Sequence, residues 1–562
     1  MGMELTRRGF LRAAAGGTAT VLAARLPSAG AQAADDGPFR HGVASGDPGA
    51  DRVVLWTRLT TTDASVEVVW DVARDQAFSD IVARGGARAE PGNDHTVHVD
   101  AGDLEAGTDH WYRFHALGAT SPVGRARTLP APGAALDSLR LGLVTCAEYE
   151  FGYFGAYRHL AERDDVDLVL HLGDYIYEFG VGYGSPPTVL PTPGPSIGRT
   201  HEPPVECTTL ADYRMRYAQY RADADTQALH AAHPLIVMYD DHEVANDTWR
   251  DGAQNHQPES EGAFAERARA ARQAWREWMP IRVSGADPEQ VHRSFRLGDL
   301  AELWMLDERR YRDVQPANAF FSYGSVDPAI DDPARTMLGV EQRTWLLDGM
   351  AASPAAWRLM GNPVPFFPLV LAPALLDVLG SALGSEVSAL PPLPPPLTVD
   401  DWNGYAAERR TIVDAVAAGP IPDVLVLTGD YHETFVSEIP RSLAQYPLDA
   451  ASVAVEFVTP SVTSPGLPET LERAGIAAPD LVDAAFEANL TVNNPWIRHH
   501  EGRSNGFGVL ELTAERAQFD VLFIADRLDP ATPASVATSW EVLRGSSKVA
   551  PAAGPLAARG RG

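Results

Sequence analysis

The sequence predicts a small all-β sandwich domain followed by a larger α/β layered domain whose chemistry sits at strand ends. Two textures predict this. Near the start, short alternating apolar runs (Val53 to Trp56, Val66 to Trp70, His95 to Val99, His110 to His115) are separated by Gly, Asp and Pro at the spacing of an antiparallel sandwich. From Leu139 onward, "LRLGLVT", "VDLVLHLGD", "PLIVMYDD", "AELWMLD", "WRLMGN" and "DVLVLTGD" alternate with helical stretches such as "ADYRMRYAQYRADADTQALHAAH". Such runs are buried strands of an α/β layer, and their polar ends gather on one sheet edge.

The boundaries follow from composition. "TLPAPGAALDS" (Thr128 to Ser138) is Pro- and Ala-rich and reads as a linker. The sandwich is expected at 38–130 and the α/β domain at 139–530, followed by a C-terminal tail, 531–562, that is Ala/Gly/Pro-rich from Arg544 and expected to fray.

The first 33 residues read as an address rather than as fold. "TRRGFLRAAAGGTATVLAA" places Arg7 and Arg8 before a short apolar segment, and "AQA" at Ala31 to Ala33 supplies a small-residue cleavage site, with a mature start near Ala34. The apolar segment is too short to span a bilayer, and the paired arginines mark the Tat branch of bacterial signals. The Tat machinery is thus an expected partner, and the mature protein is expected to be secreted or held at the cell envelope, with no transmembrane helix. The apolar stretch Asn362 to Leu397 is broken by Pro too often to cross a membrane and reads as a buried or lid-like insertion.

A formal charge of −29 argues against a broad nucleic-acid-binding surface. An anionic substrate then needs local positive charge, from a few arginines or from metal ions. Four strand ends carry groups able to hold such ions: Cys146 after "LVT"; Asp174 and Tyr177 in "GDYIYE"; Asp240, Asp241, His242 and Asn246 in "YDDHEVAND"; and Asp430 and His432 in "LTGDYHE". Thiolate, carboxylate, phenolate and imidazole together suit a trivalent iron beside a second, oxygen-preferring divalent ion. The alternative for Cys146, in an exported chain with two cysteines, is a disulfide to Cys207. A serine nucleophile is poorly supported, because "GRSNG" around Ser504 follows the polar "RHHE" and lacks the strand of a nucleophile elbow. No phosphate-binding P-loop motif is present. Metal-assisted hydrolysis is the economical mechanism: bound cations would activate a water and neutralise the charge that develops as it attacks.

These motifs, with "VASGDP…VVLWTRL", "LADYRMRYAQYR" and "LDERRYRD", resemble the PhoD-type alkaline phosphatases and the related iron-dependent phospholipase D branch of the metallophosphoesterase superfamily. The resemblance covers nearly the whole mature chain. It implies a metallophosphoesterase-like layered sandwich preceded by a fibronectin- or Ig-like sandwich, an Fe3+ and Ca2+ centre, and hydrolysis of phosphate mono- and diesters. Carried over by motif, Cys146 and Tyr177 ligate iron, Asp174 bridges the two metals and His432 completes the iron shell. Asp241 and Asp430 serve the second metal, Asn246 is a further calcium candidate, and His242 takes the catalytic or phosphate-contacting position. Two departures concern the walls of the site: Pro363 in "GNPVPF", and Asn403 in "DDWNGY", where an Asp is frequent. Two other functions stay open at this stage. One is a phospholipase D acting on phospholipid diesters, favoured if the apolar stretch lies exposed near the cleft. The other is an exported binding protein with structural metals.

Overall fold

In Val424–Thr428, Leu425 and Leu427 face a core shared with Leu141, Leu143 and Leu170, whereas Val424 and Val426 face another core shared with Ile412 and Val413. The same division holds for Leu303 against Trp304 and for Leu359 against Met360. Strands wetted on neither face must be apolar at every position, which accounts for the unbroken runs in the sequence. The computed structural model describes residues 37–182, 191–283, 287–316, 328–370, 398–419, 421–473, 475 and 479–559. The signal-peptide reading lies outside these residues, as does most of the apolar stretch after Asn362.

Two mixed sheets share the larger core. One is ten-stranded, in the order Val549–Pro551, Ala534–Leu543, Arg516–Ile524, Gly506–Leu512, Leu139–Val144, Leu168–Leu172, Pro234–Met238, Val43–Gly46, Val53–Arg58, Thr96–Ala101. Its centre, Leu139–Val144 to Val43–Gly46, is parallel. The other is seven-stranded, in the order Arg293–Leu297, Ala301–Met305, Trp357–Asn362, Val424–Thr428, Ser452–Val458, Thr434–Pro440, Ile497–Glu501, with a parallel run from Ala301–Met305 to Ser452–Val458. The C-terminal ends of both parallel runs carry the chemistry-bearing motifs.

The N-terminal region is all-β but not separate. A five-stranded sheet built on Val66–Ala73 and Asp109–Ala116 contributes Val68, Val72, Tyr112 and Phe114 to a core with Val53, Leu55, Val97 and Val99. Those last four lie on strands of the ten-stranded sheet, because Val43–Gly46 pairs in parallel with Pro234–Met238 (Ser45 opposite Pro234). The expected boundary at 130 therefore divides the chain but not the sheet.

The tail reading of 531–562 is corrected outright. Ala534–Leu543 and Val549–Pro551 are strands, and the residues beyond them are tied to the core. The Arg140 guanidinium donates to the Ala557 carbonyl at 2.7 Å, and the Leu556 amide to Asp520 at 2.7 Å. Ala/Gly/Pro composition concealed this edge, which is held by strand pairing and by backbone hydrogen bonds to buried side chains.

Candidate metal centre

Each strand end turns sharply to aim a side chain inward. Cys146, Asp174, Asp430 and His432 all have positive φ, at 55°, 54°, 65° and 61°. Non-glycine residues pay strain for this, and such strain persists where the surroundings over-determine it. The glycines of the two Gly-Asp motifs answer to close approach, and Gly173 also has a positive φ of 99°. A Cβ on Gly173 would lie 2.4 Å from that of Asp240, and one on Gly429 would lie 2.4 Å from Thr145 Oγ1. The two sheets thus touch at the strand ends that carry the candidate ligands.

The first group is Cys146, Asp174 and His432, whose ligand atoms all lie within 4.8 Å of one another. Tyr177 joins it: its hydroxyl donates to Asp174 Oδ2 at 3.0 Å, lies 3.2 Å from His432 Nε2 and accepts from Ser464 Oγ at 2.8 Å. His432 Nδ1 must donate to the Pro465 carbonyl (3.0 Å), since a carbonyl only accepts, and this leaves Nε2 as a bare acceptor facing the group. One phenol proton cannot serve both Asp174 and His432. Burial, with Asp174 alongside, holds the Cys146 thiol well above its ordinary range. Burial, then the neighbouring carboxylates Asp241 and Asp240, raises Asp174 despite a favourable contribution from His242. Asp174 Oδ1 is buried with no hydrogen-bond partner. Acceptors crowded beyond their supply of protons are what a cation satisfies, so these residues fit a metal.

The second pole is oxygen only. Asp240, Asp241 and Asp430 form one group within 4.8 Å, and Asp241, Asp247 and Asp400 form another. The Asp241 Oδ1 atom is also buried without a hydrogen-bond partner. All-carboxylate sets suit hard divalent ions. Arg309, fully buried, pairs with both oxygens of Asp240 and reaches Asp400 at 2.6 Å, and it lies 3.5 Å from Asp241 Oδ1 and 3.7 Å from Asp430 Oδ1, so it is a shared counter-charge for four of these carboxylates. Asp430, 22 % exposed at its side chain, marks the solvent side of the centre, whereas Cys146 and Tyr177 are fully enclosed.

His242 links the two poles. A ring nitrogen lies within 4.8 Å of carboxylate oxygens of Asp174 and Asp241, and its ring stacks on Tyr177 at 4.2 Å. Its Nδ1 bonds Glu178 Oε2 at 2.8 Å, while Glu178 Oε1 accepts from the Asn246 amide (2.8 Å) and from Asn255 Nδ2 (2.9 Å). Burial alone would lower His242, but the carboxylates of Asp241, Asp174 and Glu178 outweigh it and hold the ring protonated well above its ordinary value. The loop carrying Tyr177 and Glu178 is pinned by Arg216, a buried residue of helix Leu210–Ala222 that donates to the Phe179 carbonyl at 2.8 Å and to the Tyr177 carbonyl.

Sequence reasoning missed several members. Arg309 lies in "LDERRYRD" and Glu178 ends "GDYIYE", and neither motif by itself assigns them a role. Asp247 closes "YDDHEVAND" and Asp400 opens "DDWNGY", again with no role assigned by the motif alone. Asn246 is engaged through its side-chain amide with Gln254 at 3.2 Å. Asn403 is structural: it donates to Asp401 at 2.8 Å and accepts from Arg409 at 2.8 Å. The disulfide alternative falls, because both cysteines are free thiols, Cys146 against Tyr177 and Phe179 and Cys207 in the main core.

One support of the His432 loop gives a pH prediction. Glu433 accepts from His500 Nε2 at 2.7 Å, and His500 Nδ1 bonds Glu487 at 2.6 Å. Burial would lower His500, but Glu433 and Glu487 push it up to about 10. A folded value above the unfolded one, near 6.5, gives stability that is full below the unfolded value and lost as pH rises through the folded value. Unfolding by urea is expected to become easier between those limits, and His500→Gln to flatten that slope. An unchanged slope in the variant would refute this assignment.

The fold and this cluster fit a hydrolase whose residues can hold cations. The sequence model of the PhoD-like phosphatase family matches residues 141–521, and that of its N-terminal domain matches residues 23–130. The chain belongs to the PhoD-like phosphatase family and is a phosphoric ester hydrolase. It is 38% identical to alkaline phosphatase D of Bacillus subtilis (strain 168) over 443 residues, covering 76% of this chain and 70% of that protein. A solved structure of PhoD superimposes with a TM-score of 0.79 at 32% identity, covering 96% of this chain and 95% of that one. A purple acid phosphatase, PPD1 from yellow lupin seeds, matches at a TM-score of 0.51 and 12% identity over 90% of this chain and 74% of that one, a likeness of fold alone.

Proposed function

We propose that this chain is an exported alkaline phosphatase of the PhoD type that hydrolyses phosphate mono- and diesters with iron(III) and calcium. The observation that carries the reading is the pairing of a sulfur–phenol–imidazole group (Cys146, Tyr177, His432) with an oxygen-only group (Asp241, Asp430), joined through Asp174. The first set suits iron(III) and the second calcium. When bound, the ions supply an activated water and positive charge at the phosphoryl group.

The chain's own residues do the rest. Cys146, Asp174, Tyr177 and His432 would hold the iron, and Asp241 and Asp430 the calcium, while Arg309 neutralises Asp240 and Asp400. With Nδ1 bonded to Glu178, His242 has Nε2 left to give a proton to the departing oxygen. Elemental analysis of exported protein, beside p-nitrophenyl phosphate, bis-p-nitrophenyl phosphate and a phospholipid diester, tests the reading. Iron and calcium with turnover of the first two support it; turnover of the phospholipid alone would replace it with a phospholipase D. The stretch that would favour a lipid substrate lies mostly at 371–397, outside the described residues.

Calcium removal separates the poles. A calcium-selective chelator is expected to remove activity with iron retained, and added calcium to restore it. Full activity with calcium shown absent would remove calcium from the proposal.

Export is proposed from the signal sequence. Among the described residues no helix is long and apolar enough to cross a membrane. Replacing both Arg7 and Arg8 by Lys is expected to leave the precursor in the cytoplasm, read by cell fractionation. Export of the double variant at the wild-type rate would refute the Tat assignment.

A further inference from the structure

Five arginines stand among the largest fully buried side chains: Arg216, Arg221, Arg267, Arg309 and Arg312. Four have evident partners. Arg216 donates to the carbonyls of Phe179 and Pro203, Arg267 pairs with Glu206 and Glu261, and Arg309 and Arg312 share Asp400. Arg221 differs. The Tyr175 hydroxyl lies beside it, but none of its three guanidinium nitrogens makes a well-formed hydrogen bond, and no carboxylate pairs with it, among the described residues.

Its surroundings are aromatic and rich in donors. The Trp56 ring lies 4.1 Å from the guanidinium carbon and covers one face. Such a contact leaves the in-plane N–H groups free to donate. The hydroxyls of Tyr112 and Tyr217 and the Nδ1 of His230 are also buried without partners, while His230 Nε2 is occupied by the Tyr175 hydroxyl at 2.9 Å. Arg221 lies close enough to act electrostatically on Tyr112, Tyr175 and His230: after burial, which raises the tyrosines and lowers the histidine, its charge lowers all three.

Arginine does not shed its proton in proteins, so the charge must be met in place. A lone buried cation is costly on the scale of a protein's net stability. Water would satisfy the donors but not the charge. A chain of net charge −29 has carboxylates in plenty, yet among the described residues none pairs with Arg221. We propose that Arg221 holds a small monovalent anion, of the halide class, in the interior between the N-terminal strands and the helices Leu210–Ala222 and Ala224–Ala232. An enclosed, aromatic site with one cation selects against phosphate and sulfate, whose dehydration a single guanidinium does not offset. The site shares no residue with the metal centre.

The test uses the full chain with iron and calcium held constant and sodium as the only added cation. Crystals grown in sodium bromide are expected to show an anomalous peak beside the Arg221 guanidinium. Unfolding followed in chloride or bromide, against gluconate at equal ionic strength, is expected to favour the folded state in halide alone. Above the dissociation constant, each tenfold rise in halide shifts the equilibrium up to tenfold. Arg221→Met is expected to lose both the peak and the halide dependence. If that variant does not fold, the wild-type crystals and titration still decide. Bromide found only on the surface, water alone beside Arg221, or equal unfolding in halide and gluconate would each overturn the proposal.

Discussion

Cys146→Ala is expected to lose most of its iron and nearly all activity, while Cys207→Ala keeps both. The two thiols are alike in burial and differ in company. Cys146 lies with Asp174 and His432 inside a 4.8 Å group, whereas Cys207 packs in the main apolar core. Burial raises both thiols, Cys207 to about 12, so neither ionises readily without a cation beside it. Among the described residues only Cys146 has candidate metal partners, and a metal deprotonates a coordinating thiol outright. Removing it leaves Asp174, Tyr177 and His432 to hold a trivalent ion without their sulfur. Metal-bound Tyr177 and Cys146 are also the sources of visible colour expected from charge transfer to iron(III). Tyr177→Phe is therefore expected to weaken or shift the band while some iron remains. Measured iron per chain and the visible spectrum decide the matter. Full iron and an unaltered spectrum in Cys146→Ala would remove sulfur from the ligand set; Cys207→Ala could lose some stability, because the residue is buried.

His242→Gln is expected to lower kcat by about 10²–10⁴-fold with metal content unchanged, the range for losing one general acid. KM is expected to move little, since the proton matters only as the leaving oxygen departs. Glu178→Gln should cost less and act differently. Glu178 is one of the carboxylates that hold His242 protonated, so neutralising it lowers the pH at which the ring loses its proton. If the charged ring is the active form, the alkaline limb of the kcat profile moves to lower pH in Glu178→Gln and vanishes in His242→Gln. A Glu178→Gln variant with reduced kcat but an unmoved alkaline limb would reduce Glu178 to a scaffold for Asn255 and the Asn246 amide.

Much of the site was legible because strand ends are legible. An apolar run closed by Gly-Asp, or by Asp-Asp-His, marks both a buried strand and the polar residue at its edge, and parallel topology brings such edges together. Cys146, Asp174, Asp241, His242, Asp430 and His432 were found this way, and the structure brings them into overlapping groups with Asp240. Arg309 and Glu178 lie within motifs whose local sequence gives them no visible role. Their importance rests on partners 69 and 64 residues away, Asp240 and His242.

Sequence by itself determined the strand runs and the candidate ligands and carries the proposed export signal, because each is written in a short window of residue types. Tertiary structure decided what depends on distant segments meeting. It joined the N-terminal strands to the catalytic sheet through Ser45 and Pro234, turned the presumed tail into two edge strands, and left Cys146 and Cys207 as separate free thiols. It also placed Arg309 among the carboxylates and enclosed Arg221 without one. The physical reason is the same in each case. Strand periodicity and turn chemistry are local, whereas sheet order, thiol pairing and the neutralisation of buried charge depend on which remote groups come into contact.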